Sequence, residues 1–230
     1  AESRRNEHPK AFLDKWRGKL VCDDYSGYKF LFHQGVTEIG CLAHARRKFH
    51  ELHVTGQSIV SIEALTLFRQ LYAIEREIDE RFEKNTPPIP RDPQIVRQIR
   101  QDKAKPIADK LHQWLQEKRQ LTTKNASISK AIDYCLKRWQ ALTQYLDDGR
   151  LPIDNNWAEN QMRPWALGRK NWLFAGSLRS GQRAANIMSI IQSARLNGLD
   201  VSAYLTDVLR RLPTEESLDE LLPHRWVPPQ

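Results

Sequence analysis

The sequence predicts an α/β fold that is mostly helical: two short parallel strands followed by a large all-helical segment. Three observations carry this. Residues 19–41 read as strand, helix, strand; residues 57–148 carry apolar side chains at helical spacing; and residues 151–212 open on an Asn-rich helix start and continue as two amphipathic helices.

Taken in order, HPKAFLDKWRG (8–18) sets Phe12, Leu13 and Trp16 on one side and closes on glycine, the mark of a short helix. KLVCDD (19–24) is a strand running into polar residues, YSGYKFLFHQG is a turn and short helix, and VTEIGC (36–41) is a second strand. A strand, helix, strand order implies a crossover and a parallel pair. AHARRKFHELH (43–53) continues as a basic helix. Ile59, Ile62, Leu65, Phe68, Tyr72 and Ile78, then Ile107, Leu111, Trp114 and Leu115, then Ile128, Ile132, Cys135, Trp139, Leu142 and Leu146 recur at steps suited to a helix face. Pro87, Pro88, Pro90 and Pro93 place a linker among them, and the segment is expected to pack on itself as a separate helical lobe. A short helix should open at Asn155 or Asn156, limited or kinked by Pro164. Residues 181–198 follow as a helix with an Ile187, Met188, Ile191 and Ala194 face and a Gly198 stop, and VSAYLTDVLRRL as another.

The bulk numbers narrow the function. No apolar run approaches the ~18 residues of a membrane span. The polar start AESRRNEHPK is no signal peptide, and its lack of Met suggests that upstream sequence is missing. Three cysteines without a CxxC pair point to reduced thiols and the cytoplasm. The net charge is +8, and residues 160–211 hold eight Lys or Arg against Asp200 and Asp207. Such a block suits a polyanion, although a solvated basic surface would look the same.

Several residues could carry chemistry. Asp23 and Asp24 end a strand where open parallel sheets place their sites, so they could hold a hard cation or merely turn the chain. Glu159 could act chemically, or close an Asn156-x-x-Glu159 capping box. Cys41-x-x-His44 lacks the tight pairing of a structural zinc site and suits a buried thiol with a hydrogen-bonded imidazole better. Trp172 and Phe174, among basic residues, could stack on bases; core positions suit them better.

LVCDDYSGY, GCLAHARRKF and DNNWAENQMRPWALGRKNWLFAGS, with GLDVSAYLTDVLRRLP and the final LLPHRW, resemble the transposases of the insertion-sequence-66 family over almost the whole chain. That resemblance implies an incomplete ribonuclease-H-like domain retaining two parallel strands. Its first part would span 1–56, a helical insertion 57–150, its second part 151–212 and a C-terminal tail 213–230. It makes Asp23 the second and Glu159 the third acid of an Asp-Asp-Glu site, both ligands of Mg²⁺ (or Mn²⁺) and brought together by the fold. The family usually has Gly where this chain has Asp24, which leaves Asp24 as an alternative to Asp23. The first acid would lie before residue 1, so the chain alone is not expected to transpose DNA. Arg163, Arg169, Lys170, Arg179 and Arg183 would bind DNA, both transposon ends and target, in a bacterial nucleoid setting, with a homo-oligomer open. A non-catalytic DNA-binding or regulatory fragment and a metal-dependent nuclease are the alternatives.

Overall fold

The computed structural model describes residues 6–56, 59–83, 90–172, 175–215 and 217–228. The chain divides into a unit spanning Arg4–Trp157 and a unit spanning Ala158–Gln230.

In the first unit, helix α1 (Glu7–Leu13) precedes strand β1 (Lys19–Cys22), helix α2 (Lys29–His33) and strand β2 (Thr37–Gly40). The strands pair in parallel, Lys19 opposite Thr37 through Cys22 opposite Gly40, as the strand, helix, strand order predicts. Among the described residues, eight helical segments then build the body: α3 (Leu42–Gly56), α4 (Ile59–Glu83), α5 (Pro93–Ile99), a π-helical turn Arg100–Ala104, α6 (Lys105–Gln120), α7 (Ser127–Lys137), α8 (Trp139–Thr143) and a 3-10 turn Gln144–Leu146. Among the described residues of this stretch there is no strand. Pro93 is the first residue of α5, behind Asp92, whose Oδ1 accepts the Gln94 N–H at 2.8 Å. Pro87 and Pro88 lie outside the described residues.

The helices do not form a lobe of their own. One core takes Ile39 from β2, Phe49 from α3, Phe68 and Leu71 from α4, Leu111 and Leu115 from α6, Ile132 from α7 and Leu142 from α8. A two-stranded sheet cannot bury its own side chains, and the helices cover it. Gly40 lets this happen closely: a Cβ there would stand 3.0 Å from the Leu142 backbone nitrogen. Arg100 is buried at the centre. Its guanidinium meets Glu75 through two bonds of 2.8 and 2.7 Å and donates to the carbonyls of Tyr145 and Leu151 at 2.9 Å. All three cysteines are free and buried, and burial pushes the Cys135 thiol up to about 12. Among the described residues no helix is long and apolar enough to cross a membrane.

Helix α9 (Asn156–Gln161) runs across the division between the units. The second unit continues with α10 (Arg163–Trp172), α11 (Leu178–Leu196) and α12 (Val201–Arg211). Pro164 ends one helix by starting the next, because the first turn of a helix needs no proline N–H. Gly198, at φ +71°, stops α11 as predicted. A small cluster of Ala194, Tyr204 and Trp226 holds this unit. The Tyr204 hydroxyl donates to the Leu221 carbonyl at 2.7 Å, and the Trp226 indole donates to Asp207 at 2.8 Å. The expected core face of α11 is only partly realised: Ala194 is buried, but Ile187 is 55 % exposed. Trp172 is not core either, being 53 % exposed and edge-on to Trp165 at 5.4 Å; Phe174 lies outside the described residues.

Candidate functional site

Two chain segments meet the C-terminal ends of the paired strands. β1 stops at Cys22, one residue before Asp23. Asp23 is half-buried; its Oδ1 accepts the Tyr25 N–H at 3.1 Å, and among the described residues its second oxygen takes no partner. Asp24 does not continue the strand to the opposite face. Its φ is +79°, a left-handed conformation uncommon outside glycine, and its carboxylate is engaged by the Arg138 guanidinium. Arg138 also ion-pairs with Glu38 at 2.5 Å. The adjacent acids therefore differ: Asp24 is ion-paired with Arg138, while Asp23 keeps an oxygen uncommitted.

At the end of β2, residues 153–156 are tied to the chain just beyond Gly40. The Leu42 N–H donates to the Ile153 carbonyl at 3.1 Å, and the Asn155 N–H reaches the Cys41 sulfur at 3.5 Å. Cys41 also lies 3.1 Å from His44 Nδ1, the buried thiol and bonded imidazole that sequence favoured over zinc. Burial raises the pKa of this thiol, partly offset by bonds from Asn155 and His44. Asp154 accepts the Tyr72 hydroxyl at 2.7 Å, the Asn156 side-chain amide at 2.9 Å and the Asn156 N–H at 3.0 Å. Burial and the Asp154 charge drive the Tyr72 pKa upward, keeping that hydroxyl a donor.

Helix α9 thus begins beside the end of β2, with Glu159 exposed in its first turn. The Asn156 N–H that a capping box would offer to Glu159 is already held by Asp154. Asp23 and Glu159 fall in different units.

The five predicted DNA-binding residues sit on exposed helix surfaces, Arg163, Arg169 and Lys170 on α10 and Arg179 and Arg183 on α11. Arg211, counted in the basic block, is instead used internally by Glu215 at 2.6 Å and Asp207 at 3.4 Å. Sequence reasoning missed Tyr72, Asp154 and Arg138. Tyr72 and Asp154 are 82 residues apart and Arg138 and Asp24 are 114 apart, so spacing carried no signal of either pairing.

Compared with known proteins, the chain matches the transposase IS66 family over residues 1–183 and the IS66 C-terminal element over 189–224. Three curated relatives come from Sinorhizobium fredii (strain NBRC 101917 / NGR234). Uncharacterized protein y4hP is 36 % identical over 98 % of this chain and 43 % of its own length. Uncharacterized protein y4jD is 35 % identical over 98 % of the chain and 44 % of its own length. Uncharacterized protein y4qI is 31 % identical over 94 % and 40 %. The chain therefore spans less than half the length of these relatives. No solved structure matches it.

Proposed function

Because the chain belongs to the IS66 transposase family, we propose that it is the C-terminal catalytic part of a DNA strand transferase, with Asp23 and Glu159 as two of its three metal-binding carboxylates. One observation carries the reading. Asp23 with its uncommitted oxygen lies just past β1, and the start of the Glu159-bearing helix is tied just past the adjacent parallel strand β2. Open parallel sheets carry their sites beyond the C-terminal ends of the strands, which supports the reading.

Asp23 offers the hard oxygen donor that Mg²⁺ or Mn²⁺ takes, and Glu159 would offer the second. Such an ion, when bound, supplies Lewis-acid polarisation of the scissile phosphate and a more acidic water. Asp24, tied to Arg138, orients its neighbour and does not compete as a ligand. Arg163, Arg169, Lys170, Arg179 and Arg183 would hold backbone phosphates of transposon-end and target DNA. The family's Asp-Asp-Glu set calls for one further acid, which would lie in sequence preceding residue 1. Residues 1–56 and 151–212 are read as two parts of one ribonuclease-H-like core interrupted by 57–150, working on nucleoid DNA in the bacterial cytoplasm.

The test uses the full-length protein with Mg²⁺ or Mn²⁺ and DNA carrying the element's ends. End cleavage followed by joining is expected, lost in Asp23→Ala and in Glu159→Ala but largely kept in Asp24→Asn. Cleavage without joining would make the protein a nuclease, and binding without either product would make it a regulatory DNA-binding protein. The 230-residue chain by itself should bind DNA without nicking it.

A further inference from the structure

A cleft of about 640 Å³ opens beside β2 in the first unit, and its lysines are not used by the chemistry above. Lys29 of α2, Lys48 of α3 and Lys130, Lys137 and Arg138 of α7 and its C-terminal cap line it, with the acids Asp24, Glu38 and Asp133. Each of those acids is already engaged by an arginine. Arg138 holds Asp24 and Glu38, and Arg119 holds Asp133 at 2.6 Å. The four lysines are exposed, and among the described residues none forms an ion pair. An ordinary solvated face scatters both signs. A concave wall with five cations against three acids, the lysines outside any ion pair, keeps a net positive charge that the cleft focuses.

We infer that this cleft binds the phosphate backbone of a DNA strand passing next to Asp23. The inference rests on the transposase reading and adds to it a second contact surface, separate from α10 and α11. The chemistry favours backbone over bases. Tyr134, one of the aromatic rings lining the cleft, has Lys48 4.4 Å and Arg138 5.5 Å from its centroid, so cations compete with bases for its π-surface. Its hydroxyl points to the Asp23 carbonyl at 3.4 Å, which couples the cleft to the strand end. Lys130 and Lys137 lie two helical turns apart on one face of α7, about 10 Å along its axis. At ~3.4 Å per phosphate on one strand, that separation matches about three phosphates. Binding here is therefore tolerant of sequence and sensitive to salt.

The experiment measures the affinity of the chain for labelled random-sequence DNA across a salt series, comparing Lys130→Gln/Lys137→Gln with Lys110→Gln/Lys124→Gln. Both pairs remove the same charge from exposed positions of the same unit, but only the first lines the cleft. The cleft pair should weaken binding about tenfold at low salt and flatten the log–log salt slope by roughly 0.9 per lysine, with Lys29→Gln and Lys48→Gln extending the loss. The other pair should leave the slope unchanged. Equal effects from both pairs would overturn the cleft assignment. If wild type binds DNA and only Arg163→Gln/Arg169→Gln/Lys170→Gln weakens it, the transposase reading stands and the cleft falls. If wild type binds polyglutamate but no DNA, the cleft serves an acidic protein segment and both readings fall.

Discussion

The two units of the chain hold their helices by opposite means. In Arg4–Trp157 long amphipathic helices bury their apolar faces in one core with the sheet, and even the buried charge of Arg100 is matched by Glu75 and three carbonyls. Among the described residues of Ala158–Gln230 the buried cluster is Ala194, Tyr204 and Trp226, while Met162, Leu167, Trp172, Leu178 and Ile187 stay exposed. A largely apolar hollow of about 940 Å³ lies among α9, α10 and α11. Helix order there rests on local devices: Ser177 Oγ caps α11 at 3.1 Å, Asp200 Oδ1 caps α12 at 2.7 Å, and the tail is pinned through Trp226. The contrast teaches that burial explains the first unit, whereas capping and tail anchoring explain the second.

The contrast breaks most directly at Arg100. Arg100→Ala leaves Glu75 charged, buried and unpaired, which costs about 3–5 kcal/mol. Arg211→Ala in the second unit removes an exposed i,i+4 pair that solvent screens, so its loss should be far smaller. Urea unfolding of the two variants measures the difference, and similar losses would show that the first core does not depend on its central ion pair.

Next in size is Trp226→Ala. It deletes a buried ring edge-on to Tyr204 at 5.5 Å and the bond to Asp207, at a cost of about 3 kcal/mol. The loss should stay within its unit. Native-state hydrogen exchange should accelerate in α11 and α12 and leave α4, α6 and α7 as protected as before. Acceleration throughout the chain would mean that the units unfold as one.

A smaller effect reaches the start of α9. Tyr72→Phe removes one donor to the Asp154 carboxylate, about 1.5–3 kcal/mol for a bond to a charged acceptor. In the full-length protein it should lower DNA cleavage while leaving DNA affinity unchanged, since Tyr72 would act only through the position of Glu159. An equal fall in affinity would assign Tyr72 a general structural role.

The same contrast explains how far the sequence could be read. Helices α4, α6 and α7 were legible because a face buried on one side leaves a period of 3.6 in the chain, whereas α5 was hidden behind a proline read as linker. The boundaries at Pro164 and Gly198 were legible because proline and glycine act locally. The fate of Ile187 and Trp172 was not, since amphipathic spacing says which face could be buried but not whether a surface exists to bury it. Within the candidate site, Asp23 stood out as an acid at a strand end. Its difference from Asp24 depends on Arg138, a partner 114 residues away that no local pattern announces.

The smallest effect concerns Asp148, which ties the start of β1 to the helical body. Its carboxylate accepts two bonds from the Arg150 guanidinium, at 2.8 and 3.0 Å, and one from Lys19 Nζ at 2.6 Å. The Arg150 bonds first, then Lys19, hold its carboxyl well below the usual carboxylate range. A carboxyl depressed in the folded state contributes stability above its unfolded pKa near 3.9, and that contribution fades as the pH falls below this value. Lys19 and Arg150 are largely exposed, so solvent screens the gain to at most about 1 kcal/mol. Asp148→Asn should therefore unfold slightly more easily than wild type at pH 7, with the two stabilities converging below about pH 3. High salt should shrink the gap at pH 7 by screening the exposed partners. A gap that stays constant from neutral pH to strong acid would mean that Asp148 acts through the Arg150 N–H turn, a bond of 3.0 Å in the loop, and not through charge. In that case Lys19→Gln would be silent as well, and β1 would be positioned by its ladder with β2 alone.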